Sequence, residues 1–167
     1  MFSIFLMAVT VITASLPLIV RKAAKLIPGG GMRHASTNAD TSLDWMPVLA
    51  ALLFIGAFFL PDINISDQTS TFQQHFVGGG LYCVVLFEYF RYLLGWRFHW
   101  LTGILLLFAW TSALGVANEL LELILTELRI TIIHIGDADW DLLANTLGAF
   151  AGYVMIGLAR LLRRRSG

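Results

Sequence analysis

A chain of 167 residues is short enough for a single domain, and 57% of it is hydrophobic while only 13% is charged. A soluble globule of this size cannot hide so much apolar surface, so the composition demands lipid as a solvent. Eleven basic and eleven acidic residues balance to zero, and no basic stripe interleaves with aromatics, which removes any general attraction to nucleic acid.

A helix crosses the hydrocarbon in about 20 mostly apolar residues. The first such run is Phe2 to Val20, closed by Arg21, Lys22 and Lys25. A secretory signal peptide carries its positive charge before the apolar core, and here it follows, so a permanent span is expected. Pro17 predicts that this helix bends or ends early. Residues 28–44, rich in Gly, Ser, Thr and Asp, read as a loop. The second span is Trp45 to Leu60, stopped by Pro61 and Asp62, with Trp45 as an interfacial anchor. Ile63 to Gln74 follows as a polar loop. Within it Asn64-Ile65-Ser66 matches a glycosylation acceptor, a pattern that also arises by chance.

The third span runs from His75 to Leu94, with Gly78, Gly79 and Gly80 near its start permitting close backbone approach. Cys83, the one cysteine, falls in its apolar run and reads as a packed small hydrophobe. An intrachain disulfide and a cysteine metal cluster are both excluded. Glu88 and Arg91 stand at i and i+3, the spacing of a local ion pair. The fourth span, Phe98 to Thr126, carries Ser112, Asn118, Glu119 and Glu122. Residues 127–140 are too few to cross, and the alternation Arg129-Ile130-Thr131-Ile132 suggests an external hairpin-like or re-entrant segment. The last span, Asp141 to Leu162, ends in Arg163, Arg164 and Arg165. The expected fold class is an all-α integral membrane bundle of five transmembrane helices, with a short extracytoplasmic segment before the last.

Five spans put the termini on opposite sides. With the arginine-rich C-terminus in the cytoplasm of a cell membrane, every Lys and Arg except Arg129 falls on the inner side, as the positive-inside rule requires. The N-terminus is then outside. In that topology Gln73, Gln74 and His75 sit at the outer mouth of the third span. Glu119 and Glu122 lie in the outer third of the fourth, and Asp137, Asp139, Asp141 and Asn145 lie at or just below the outer surface.

Two spacings support a common site. Ser112, Gly115, Glu119, Glu122 and Thr126 are offset by 3, 4, 3 and 4, one stripe of small and polar residues down an apolar helix. Asp141, Asn145, Gly148 and Gly152 are offset by 4, 3 and 4, and facing stripes would let Glu119 meet Asn145. A carboxylate facing lipid is costly, so intramembrane acids turn toward a bundle interior or a wet cavity. Plainer readings stand beside these. Gly148-Ala149-Phe150-Ala151-Gly152 is a GxxxG packing pattern, Asp141 suits a helix N-terminus, and His75 suits the membrane interface.

The chemistry open to this set is of three kinds. Paired carboxylates share a proton and form an acid/base couple. Carboxylates with His75 offer ligands to a divalent cation, the one cofactor the residues suggest. Arg129 pairs with the acids or offers a fork to a phosphate. Glu119, Glu122 and Asp141 are thus candidates for carrying charge or protons, with His75, Arg129, Asn145 and Asp139 as binding residues. No serine nucleophile motif, phosphate loop or HExxH is present.

Gln74-His75-Phe76, Glu119-x-x-Glu122, Arg129 and Asp141-Leu142-x-x-Asn145-x-x-Gly148-x-x-x-Gly152 together resemble the VanZ-like family of small bacterial and archaeal membrane proteins. The resemblance covers His75 to Gly152, about half the chain. Glu122 stands where many members carry Gln. The resemblance implies a polytopic envelope protein, the family being named for a component linked to low-level teicoplanin resistance. Three functions are expected candidates. The first is binding or modification of a lipid-linked, phosphate-bearing or cell-wall-related substrate in an acidic outer-leaflet pocket. The second is proton- or cation-coupled transport, which requires polar lining continuing to the inner face. The third is a non-catalytic assembly partner in which the acids pair with Arg129.

Overall fold

The computed structural model describes residues 2–26, 43–61, 63–65, 68–129 and 138–165. In chain order the elements are α1 (Phe2–Leu26), α2 (Trp45–Ala57), the strands β1 (Ile63–Ile65) and β2 (Gln68–Ser70), α3 (Phe72–Leu93), α4 (Trp100–Glu127) and α5 (Ala138–Arg165). The described chain is therefore helical apart from one short hairpin. Helices α3, α4 and α5 are each long and apolar enough to cross a membrane, and α1 and α2 add shorter apolar stretches, Leu6–Val20 and Trp45–Ala57. Apolar side chains face outward along them: Leu105 on α4 is 69% exposed and Met155 on α5 is 67% exposed, surface that suits lipid and not water.

Three local expectations are corrected. Of the two effects expected of Pro17, a bend or an early end, the early end does not occur: the first helix runs on to Leu26. Proline deprives the carbonyl one turn earlier of its donor, but Thr13 and Pro17 are both buried and packed neighbours hold the helix across the gap. Helix α2 stops at Ala57, short of Leu60, because the chain tightens into turns before Pro61: Phe59 N–H donates to Gly56 and Leu60 N–H to Ala57. The stretch from Ile63 is not all loop. β1 and β2 pair antiparallel, Asn64 opposite Thr69, where β-branched residues flank Ser66 and Asp67. Of the segment expected to be hairpin-like, Glu127 ends α4 and residues 138–140 open α5, while residues 130–137 and the glycine-rich stretch at 28–42 lie outside the described residues.

α3 is not uniform. After one α-turn, His75–Leu81 winds as a π-helix, and the α-helix resumes at Tyr82. Gly80 there meets Gly148 of α5 backbone to backbone. A Cβ on Gly80 would lie 2.6 Å from both the Asn145 carbonyl oxygen and the Gly148 Cα, and one on Gly148 would overlap the Phe76 carbonyl. No side chain fits between these helices. The four α5 residues predicted to share a face do so: Asp141 (8% exposed) and Asn145 (5%) are buried with Gly148 and Gly152. On α4 the buried row is Gly103, Leu107, Thr111 and Gly115, every fourth residue, while Leu105, Phe108 and Leu120 face out.

Two apolar clusters fill the interior. Val84, Phe87, Leu107 and Ala149 join α3, α4 and α5, and Ala50, Val85 and Leu86 join α2 to α3. Beyond the first cluster, Glu88 is 2% exposed and its Oε2 accepts from Arg91 Nε at 3.0 Å and Nη2 at 2.8 Å, the predicted ion pair. Arg160 Nη2 of α5 reaches the same oxygen at 2.6 Å. That second guanidinium locks α5 to α3 at the end of the bundle opposite His75.

Candidate functional site

The π-helix and the first turns of α5 bring the site together. An imidazole at the start of α3 and a carboxylate in the first turn of α5 meet: His75 Nε2 lies 3.3 Å from Asp141 Oδ2. Thr71 Oγ1 donates to Asp141 Oδ1 at 3.0 Å, so both carboxylate oxygens have neighbours that orient the group. Thr71 stands four residues before His75, and the two share a helical face. That spacing was readable, but with Thr71 placed in a loop it carried no signal. Asp141 also sits where the α5 dipole favours negative charge, so the capping reading and the site reading describe one residue.

One turn further along α5, Asn145 is wedged between two glycines. A Cβ on Gly79 of α3 would overlap its Oδ1, and one on Gly115 of α4 would lie 3.5 Å from its Nδ2. Asn145 Oδ1 is buried and has no hydrogen-bond partner among the described residues. The α4 residue set against Asn145 is thus Gly115, one turn below Glu119.

His75 and Asn145, but not Asp141 or Thr71, line a cavity of about 350 Å³ bounded by α1, α2, α3, α4 and α5. Its polar lining is Gln74, His75, Asn118 and Asn145, with Tyr82 and Cys83 deeper. The remaining wall is apolar: Val9 from α1, Phe54 and Phe58 from α2, and Leu114 and Leu121 from α4. The Tyr82 hydroxyl is 2.9 Å from Thr13 Oγ1, a link between α3 and α1 that no periodicity in the sequence could have revealed. Cys83 is a buried free thiol, 4% exposed.

The other candidate residues stand around this core. Glu119 is half-buried with its Oε1 out of contact with solvent, and it is not part of the cavity lining. The side chains of Glu122 and Asp139, and all of Asp137, lie outside the described residues. Arg129 is exposed just past the end of α4, in the left-handed conformation (φ 55°), its N–H donating to the Thr126 carbonyl and closing the helix. It does not line the cavity. Among the described residues no three His, Cys, Asp or Glu side chains converge as metal ligands.

What the arrangement can do follows from the pair. A carboxylate beside one imidazole nitrogen orients the ring and leaves the other nitrogen for chemistry at the cavity. Carboxylate and imidazole together form an acid/base couple beside an apolar chamber. Neither a protein-family model, nor a curated protein, nor a solved structure matches this chain.

Proposed function

We propose that this protein is a five-span membrane protein of the VanZ-like kind, N-terminus outside and C-terminus cytoplasmic. In this reading the outer half of the bundle binds or modifies a lipid-linked or cell-wall-related amphiphile. The observation that carries it is His75, which lines a largely apolar cavity and lies 3.3 Å from the carboxylate of Asp141, a residue outside that lining. At about 350 Å³ the cavity falls within the roughly 300–1,000 Å³ of ordinary small-molecule sites. Its walls suit a hydrocarbon chain and its polar end suits a head group. His75 is the proton-handling residue, Asp141 and Thr71 position it, and Asn145 and Gln74 contact the head. Glu119 and Arg129 do not line the cavity and have no part in holding the ligand.

Helices α1 and α2 complete the proposed five spans, since each carries an apolar stretch packed on the long helices. The transport alternative finds less support. Below the cavity the polar lining gives way to the packed apolar cluster of Val84, Phe87, Leu107 and Ala149, and beyond it stands the buried Glu88 with its two arginines.

The test is native mass spectrometry of protein released from lipid nanodiscs. Wild type is expected to retain a single-chain amphiphile, and Leu121→Trp, which fills the chamber, is expected to lose it while keeping its melting temperature. Wild type that retains none of a panel of such amphiphiles removes the reading.

A further inference from the structure

We infer that the cavity selects an uncharged head group: a hydroxyl- or amide-bearing amphiphile, rather than a phosphate or an amine. The inference rests on the cavity reading above and narrows its ligand. Every polar side chain that lines the cavity, His75 apart, is neutral: the amides of Gln74, Asn118 and Asn145, the Tyr82 hydroxyl and the Cys83 thiol. No Lys or Arg lines it among the described residues.

A phosphate brought here exchanges its water for apolar walls and neutral dipoles, with only one imidazole in the lining to offset its charge. That imidazole already faces Asp141. An ammonium fares little better, because Asp141 Oδ1 accepts from Thr71 and Oδ2 faces His75, and the amides supply dipoles rather than charge. Amides provide both donors and acceptors, the complement a hydroxyl or amide head requires. The contrast with the opposite end of the bundle is direct. There Arg91 and Arg160 converge on Glu88, while Arg97 stands exposed nearby in the α3–α4 connection.

The experiment holds the chain constant and varies the head. Nanodiscs are doped at equal mole fraction with monooleoyl glycerol, oleoyl lysophosphatidic acid or oleylamine, and retained ligand is counted by native mass spectrometry. Monooleoyl glycerol is expected to be retained at least about tenfold over either charged probe. Asn118→Lys, which adds a cation to the polar end, is expected to invert the preference toward the lysophosphatidic acid. Leu121→Lys tests the same point if Asn118→Lys does not fold. Equal retention of all three, or preference for a charged probe by wild type, overturns the inference and leaves the cavity reading standing. Retention of none overturns both.

Discussion

At Gly80 and Gly148 one methyl group decides whether two helices can meet. A Cβ on either would land on backbone atoms, which cannot swing aside as a side-chain end can. Gly80→Ala and Gly148→Ala are each expected to lower stability by about 1–3 kcal/mol or to abolish the folded yield in detergent. Gly56→Ala and Gly157→Ala, where a Cβ meets nothing within 4 Å, should melt as wild type does. Glu88 offers a second residue-scale prediction. Removing its charge leaves the partly exposed Arg91 and the half-exposed Arg160 facing each other with no counter-charge, so Glu88→Gln should cost about 1–3 kcal/mol. Arg160→Gln, whose side chain is half exposed, should cost about 1 kcal/mol or less. Thermal or denaturant melts of the two variants side by side check the ranking. The Glu88–Arg91 half of this cluster was legible at i, i+3, whereas Arg160 is 72 residues away and no local spacing points to it.

Among the elements, α3 sets the geometry of the site. A π-turn holds more residues than an α-turn, so its seven residues reorient everything before them relative to everything after. His75 stands at its first position, while Gly80, near its end, keeps the contact with α5. Deleting Val77 should let the segment relax toward α-helix and turn His75 by about 100° away from Asp141. The Gly80–Gly148 contact should survive, so the expected outcome is a melting temperature near wild type with amphiphile retention lost. Retention at the wild-type level would separate the His75–Asp141 pair from binding. The sequence shows three consecutive glycines but not how the backbone winds there. Helix type depends on which carbonyl each N–H finds, and that is decided when α2 and α5 press on the segment from either side.

At the scale of the whole molecule the proposed orientation carries its own test. In a Cys83→Ser background, Arg129→Cys should react with a membrane-impermeant maleimide applied to intact cells. Trp96→Cys, in the connection at the other end of the bundle, should react only after permeabilisation. The opposite pattern would invert the topology and move the site to the cytoplasmic leaflet. That the chain has long apolar helices fit for lipid, expected at His75–Leu94, Phe98–Thr126 and Asp141–Leu162 and found within a few residues of those bounds, and that Asp141, Asn145, Gly148 and Gly152 form one buried face, follow from local pattern. Hydropathy and helical period are properties of neighbouring residues, so one sequence contains them. The encounter of His75 with Asp141, the wedging of Asn145 against Gly79 and Gly115, and a chamber lined by amides while Glu119 stands outside it depended on packing. Each is set by the rotation of one helix against another. That rotation is fixed by the summed fit of distant surfaces, which no stretch of sequence holds by itself.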